Sequence, residues 1–311
     1  MPDFTSTQLI IDVKREGSVP TNQELYDDTD FCASFTDCQK TRIIPSILRT
    51  KEEYFVVKRD YTFDEFTDIG ADQLQLTLPD RCIGGRIRML QLIDQNGIVQ
   101  SDIPKLNPET ANQWLSGQFF GYVFQGNKLI IPASIQTQLG KIRLYYFRRP
   151  NDIVPIERAG KVTAVNTGTG SLTLDNVPAN FALNSKVDII SGLEPFDSIS
   201  DSTPLLAVGG STVQVSLETA AKISVGDYVC YEYETVIPQL PVELHPILIQ
   251  YALSRILKSL GDTQGAANVI AELPELERNL YEMLETRDDG SEKKMIAPNS
   301  LWTRGNRPWR W

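Results

Sequence analysis

Few residues of this chain could do chemistry, and they are scattered. The single histidine, His245, precedes Pro246 at the start of an apolar stretch with helical spacing. One imidazole leaves a Ser-His-Asp triad or a histidine-based zinc site no second candidate to build on, so its position at a helix opening predicts a packing role. Two acidic clusters offer carboxylates. Asp27, Asp28 and Asp30 in "YDDTD" precede a helical pattern, where negative charge complements the positive end of the helix dipole. Asp64, Glu65, Asp68 and Asp72 in "FDEFTDIGAD" lack calcium-loop spacing and its closing glutamate. They read as a solvated loop, with an adventitious cation site as the lesser alternative. As a glycosidase pair, Asp64 and Glu65 have no apolar surroundings to raise one pKa. Gly84-Gly85 before a strand predicts a bulge or a close backbone approach rather than a phosphate cradle. No GxxxxGK[ST] loop occurs, and "GDTQGAANV" has glycines too far apart and no strand before it for a dinucleotide site. Cys32, Cys38, Cys82 and Cys230 lack metal-ligand spacing and read as reduced, small hydrophobes in a cytoplasm-like compartment. The expectation is a chain that is not an enzyme, with no catalytic residue, no cofactor and no metal.

The strongest chemical signal is the final stretch, "NSLWTRGNRPWRW". Of four tryptophans, Trp302, Trp309 and Trp311 fall here, interleaved with Arg304, Arg307 and Arg310. Residues 293–311 carry +5, while the whole chain carries −10 at pH 7, so the other 292 residues carry −15. Trp and Arg anchor protein interfaces through large buried area and through bidentate or stacking contacts. The same pair can also stack on single-stranded nucleic acid, and a terminal clasp on the chain's own surface is the third possibility. An acidic body opposes binding that depends on neutralising phosphates.

The elements that must position such a tip follow from periodicity. "TQLIIDVKRE" puts Leu9, Ile10 and Val13 on one helical face, with Ser6 placed to cap it and Gly17 in the place of a left-handed C-terminal residue. Thr21 and Glu24 have capping-box spacing for a short second turn. Thr29 or Asp30 opens a longer helix through Phe31, Phe35, Cys38 and Ile43, which Pro45 should kink or end, with "SILRTKEE" continuing as another turn or two. β character follows in "EYFVVKRDY", "LQLTLP", "GGRIRMLQLID", the hairpin "YVFQGNKLIIP" around Gly126-Asn127, and "GKIRLYYFRRP". From about Ile153 to Glu234 short strands at close spacing, flanked by "RRPNDIVP" and "VIPQLP", predict a small inserted barrel or sandwich. "VELHPILIQYALSRILKSLG" then gives a stripe of Leu244, Leu248, Tyr251, Ile256 and Leu260. A second helical stretch carries Leu276, Leu280 and Met283, with Pro274 starting a fresh segment.

The predicted fold class is α+β. Helices of residues 1–52 and 237–290 form one bundle, since neither set alone buries enough apolar face to stand by itself. Residues 53–152 are β-rich, 153–236 form the inserted barrel or sandwich, and 291–311 are an extended arm. No stretch approaches the roughly 20 apolar residues of a membrane-spanning helix, so no membrane partner is expected. The start of the chain lacks the ordered regions of a secretory signal.

The order of "TQLIIDVKREGSVP", "DTDFCASFTDCQKTRIIPSI", "EEYFVVKRDYTF", "LPDRCIGGRIRMLQLID", "ETVIPQLPVELHPILIQYALSRILKSLGD" and "EKKMIAPNSLWTR" resembles the head-to-tail connector, or adaptor, proteins of podovirus-like tailed bacteriophages. The resemblance touches most of the chain outside 153–234. It implies a structural virion protein, assembled in the host cytoplasm and placed at the head–tail junction. There it would form a homo-oligomeric ring, typically of twelve subunits, between the portal protein and a downstream tail or second connector-ring protein. DNA would pass through the lumen without specific binding, and an acidic wall suits that passage. By position and character the resemblance gives residues 291–311 the role of docking on the portal or a neighbouring subunit, with Trp302 and Trp309 as first anchors beside Arg304, Arg307, Arg310 and Trp311. The alternative is a β-rich tail accessory that binds a glycan or receptor through 153–234. Tyr228, Tyr231 and Tyr233 could line a sugar platform there, or simply pack against neighbouring strands.

Overall fold

Helices form where apolar residues recur every three or four positions. In a computed structural model, which describes residues 4–18, 26–70, 72–107, 121–133 and 140–284, helix α1 spans Ser6–Glu16 and buries Leu9, Ile10 and Val13. The position before it, Thr5, is the N-cap, and Gly17 keeps right-handed geometry because its N–H still bonds the Val13 carbonyl at 2.9 Å. The left-handed residue is Ser18, at φ 50°. Helix α2, Asp28–Cys38, starts ahead of the expected Thr29 or Asp30 because Asp27 caps it. Its carboxylate accepts from the Asp30 N–H at 2.9 Å, and that of Asp30 accepts from the Asp27 N–H at 3.2 Å, a reciprocal box that satisfies two otherwise unpaired donors.

Pro45 does not stop the helical run. Without an N–H to give the Thr41 carbonyl, it is preceded by a π-helical turn, Gln39–Ile43, and takes the first turn of α3, Ile44–Thr50. Pro274 is likewise inside one continuous helix rather than at the start of a new one. It stands on the exposed side of α6, Thr263–Leu284, where water can take the carbonyl it leaves unpaired. With α5, His245–Ser259, these helices enclose one core. Val13, Phe31, Phe35 and Ile47 from the first part of the chain meet Leu244, Leu248, Ile256 and Leu273 from the last. Helix α5 is central, packing on α1, α2 and α6. The capping-box pair Thr21 and Glu24 and the expected arm, residues 291–311, lie outside the described residues.

Between the helices, alternating apolar residues build two facing four-stranded sheets. One takes the order β1 (Val56–Tyr61), β8 (Gly140–Arg148), β4 (Cys82–Asp94), β5 (Val99–Asp102); the other takes β2 (Thr67–Gly70), β3 (Gln73–Thr77), β7 (Lys128–Pro132), β6 (Val123–Gln125). Neighbours are antiparallel. Leu90, Leu92, Ile142 and Leu144 of the first sheet pack against Leu74, Leu76, Leu129 and Ile131 of the second. The register slips between Cys82 and Ile87, where Gly84 and Gly85 adopt φ +56° and +68°. These are the bulge glycines that the sequence predicts, in a conformation L side chains rarely adopt.

The chain leaves this body through β9 (Asp152–Ile153) and returns through β17 (Glu234–Thr235), which pair in parallel. The module between them has β10 (Ala159–Asn166), β11 (Ser171–Leu174), β12 (Lys186–Ile190), β13 (Ser198–Pro204), β14 (Ala207–Gly209), β15 (Thr212–Gln214), the one-turn helix α4 (Leu217–Ala220) and β16 (Tyr228–Tyr231). The strands form one antiparallel sheet in the order β13-β12-β16-β10-β11-β15-β14, around Val162, Leu172, Val187, Ile189, Val213 and Val229. β13 and β14 are free edges, so the module is an open curled sheet and not a closed barrel. β10 serves both halves, pairing with β16 through Ala159–Lys161 and with β11 from Val162 on, with a slip between Val162 and Ala164.

Candidate functional site

The polar side chains that the structure brings together lie where the three parts of the chain meet. Asn151, in the loop before β9, is the hub. Its carbonyl accepts from Gln39 Nε2 of the bundle at 2.9 Å, and its N–H donates to Gln239 Oε1 at 2.9 Å. Its Oδ1 accepts from Arg81 Nη1 at 2.6 Å and from Arg148 Nη2 at 3.3 Å. Its Nδ2 donates to Asp188 Oδ2 at 2.7 Å and to the Glu234 carbonyl at 3.0 Å. One asparagine thus satisfies all its donors and acceptors by joining the bundle, the body and the module.

Asp188, on β12, is fully buried and accepts four hydrogen bonds. They come from Arg81 Nη2 (2.8 Å), Asn151 Nδ2 (2.7 Å) and the N–H groups of Ser202 (2.9 Å) and Tyr233 (2.8 Å). Arg81 is 6% exposed, and its guanidinium lies over the Tyr233 ring at 4.3 Å. Arg148, the last residue of β8, grips Asp201 of β13 with both Nη2 (2.7 Å) and Nε (3.1 Å). Burial pushes the Asp201 carboxyl up, but Arg148 and then Arg81 outweigh it and hold it below the usual carboxylate range. Burial raises Glu234, despite its ion pair with Arg158. Arg81, Arg148, Asn151, Asp188 and Asp201 are thus paired with one another, which suits a clamp.

Above the clamp opens a cleft of about 1100 Å³. One wall is β1 and the turn before it, Glu53–Asp60; the other is Pro195–Ser198 with Ser200 and Asp201 of β13. Tyr146, Arg148, Pro150 and Gln239 form its floor. Each wall is the edge of a sheet: no described strand pairs with β1 on the side away from β8, nor with β13 on the side away from β12. Tyr54 Oη donates to the Pro195 carbonyl at 3.3 Å and joins the two walls.

The residues singled out by sequence are dispersed. Trp302, Arg304, Arg307, Trp309, Arg310 and Trp311 lie outside the described residues. Asp64 and Glu65 sit in a 3₁₀ turn, where Glu65 accepts from the Thr62 N–H at 3.2 Å and stands 3.8 Å from Arg59. Tyr228 is buried inside the module, Tyr231 is partly exposed and Tyr233 covers Arg81, so the three do not present one platform. All four cysteines are buried and free. Burial pushes the Cys32 and Cys38 thiols up to about 12, which leaves them protonated and inert at neutral pH. Among the described residues no group of three His, Cys, Asp or Glu could hold a metal ion, and no helix is long and apolar enough to cross a membrane.

His245 opens α5, buried between the rings of Phe4 and Phe196 at centroid distances of 5.8 and 6.4 Å. Burial lowers its pKa from 6.5 to about 4, against a hydrogen bond to the Leu240 backbone. The unfolded chain therefore takes up a proton near pH 6.5 that the folded chain refuses until about pH 4, so stability falls as pH falls through that window. The loss between pH 7 and 4 amounts to about 3 kcal/mol. Urea denaturation of the wild type and His245→Gln across pH 4–7 checks this: the variant's stability should change less with pH, and parallel curves would contradict it.

No protein-family model matches the chain, and no curated protein matches it.

Proposed function

We propose that this protein is a structural subunit of a tailed-phage particle, which forms a connector ring between the portal and the tail. The observation that carries the reading is the joining of both chain ends into one bundle, with the β body and module projecting between them, the arrangement that the resemblance to connector proteins implies. The flanks of the bundle support side-by-side packing. Ile11 on α1, and Ile270 and Met283 on α6, are exposed apolar side chains on helices that flank α5. A ring closes by heterologous contacts, in which one patch meets a different patch on the neighbour. The acidic balance of the chain suits a lumen that holds duplex DNA off the wall, and the Trp- and Arg-rich tip suits docking on the portal or a neighbouring subunit. The clamp would fix the module's angle to the bundle, which a repeating ring requires.

Negative-stain microscopy of the purified protein, alone and mixed with its portal, tests this. Closed rings, or twelve-fold density added to portal particles, are expected; monomers that leave the portal bare would overturn it. A chain truncated after Pro298 should stay folded and monomeric but fail to join the portal. Sub-micromolar binding of the ring to random duplex DNA at low salt would contradict the non-binding lumen.

A further inference from the structure

We propose that the cleft between β1 and β13 is a strand-accepting site, and that its occupant is the C-terminal segment of the same chain, with Asn299–Arg304 pairing along the free edge of β1. The inference goes beyond the ring reading and does not depend on it. An unpaired strand edge presents a row of N–H and C=O groups that an extended peptide can satisfy. Here two such edges face one space, and its volume of about 1100 Å³ holds a peptide of several residues.

The path of the chain identifies the occupant. Helix α6 runs alongside the segment that leads into β1. Arg42 Nη1 donates to Glu277 Oε1 at 2.9 Å, and one turn on, Tyr281 lies beside Ser46. The same parallel register brings the end of α6, at Leu284, level with Arg49, four residues before the cleft wall begins at Glu53. The remaining 27 residues, 285–311, follow from that end of α6. Fully extended they span about 90 Å, several times the roughly 25 Å of the Glu53–Asp60 wall.

Composition selects the stretch. Pro298 and Gly305 bracket the six residues Asn299–Arg304, and β1 is six residues long. Leu301, Trp302 and Thr303 stand at its centre, and Trp and Thr favour strands, whereas the bracketing proline and glycine do not. The cleft supplies the exposed ring of Pro195 for an indole to pack on, and Asp197 for the arginine that follows. A segment held in this way would keep its Trp and Arg side chains from other surfaces until a competing strand or partner releases it.

Hydrogen exchange at residues 56–61 tests the proposal, on the full chain and on one ending at residue 292, at concentrations where the protein is monomeric and no portal is present. Removing 293–311 should speed exchange in β1 at least tenfold and leave β4 and β8 unchanged. A synthetic peptide of residues 293–311 should restore the slow exchange in the truncated chain and have little effect on the full chain. Should the truncated chain fold poorly, Trp302→Ser in the full chain should speed exchange at 56–61 in the same way. Equal exchange in the full and altered chains, or a peptide without effect, would overturn the proposal. Protection that disappears on dilution would place the segment in a neighbouring molecule and overturn the same-chain assignment. Because rings and portal are absent from this experiment, its failure is distinct from failure of the ring reading.

Discussion

Asp188→Ala is expected to lower stability by about 3–5 kcal/mol, as loss of one partner from a buried ion pair does. The alanine would leave Arg81, 6% exposed, without its closest counter-ion; the next carboxylate, Asp201, is 3.8 Å away and already engaged by Arg148. It would also leave two backbone donors unpaired. The N–H groups of Ser202 and Tyr233 both end on Asp188, and both residues hold left-handed backbone, at φ 51° and 69°, a conformation that costs a side-chain-bearing residue about 1–2 kcal/mol. This separates the site from the general rule that a buried ion pair can be exchanged for apolar residues at no loss. The double variant Arg81→Met with Asp188→Leu removes the unpaired cation but not the unpaired amides, so it should recover only part of the lost stability. Urea denaturation of both variants checks this. A loss under about 1 kcal/mol for Asp188→Ala, or full recovery in the double variant, would show that the clamp does not hold the module.

That clamp is what the sequence concealed. Arg81, Asn151 and Asp188 are distant along the chain, and no local pattern links a turn arginine, a loop asparagine and a mid-strand aspartate. The available hint was Arg148 and Asn151 on either side of Arg149-Pro150 at the end of a strand, in "RRPND", where the chain leaves one sheet for another. The elements were far more legible, because their signals are local. The alternation of Leu74 and Leu76, the Gly126-Asn127 turn and the stripe of Leu244, Leu248 and Ile256 each carry their own period. Where the reading of elements failed, a local rule met a condition it does not contain. Pro274 stands on an exposed face of α6, where water replaces the lost bond, so the helix runs on through it. The open edges of the module were illegible for a related reason: closure depends on which distant strands pair, and strand length and spacing are the same in a closed barrel and a curled sheet.

Phe35→Ala should cost about 3–5 kcal/mol, and the loss should be felt at both ends of the chain. Phe35 is fully buried in the core that α1, α2 and α3 share with α5 and α6. Truncating the ring leaves a cavity that neither set of helices can close by itself, since Leu248, Ile256 and Leu273 lose contact surface along with Phe31 and Ile47. Hydrogen exchange of the variant should therefore show amides of residues 245–273 opening together with those of 28–38. Loss of protection in 28–38 alone, with α5 and α6 holding, would mean that the two ends are separate units and would remove the main support for the connector reading. Phe35→Leu keeps most of the volume and should cost less than about 1.5 kcal/mol. In the ring reading the consequence extends to assembly. The exposed side chains Ile11, Ile270 and Met283 are held in place by this core, so Phe35→Ala should abolish rings at a temperature where Phe35→Leu still forms them, although neither change touches the outer surface.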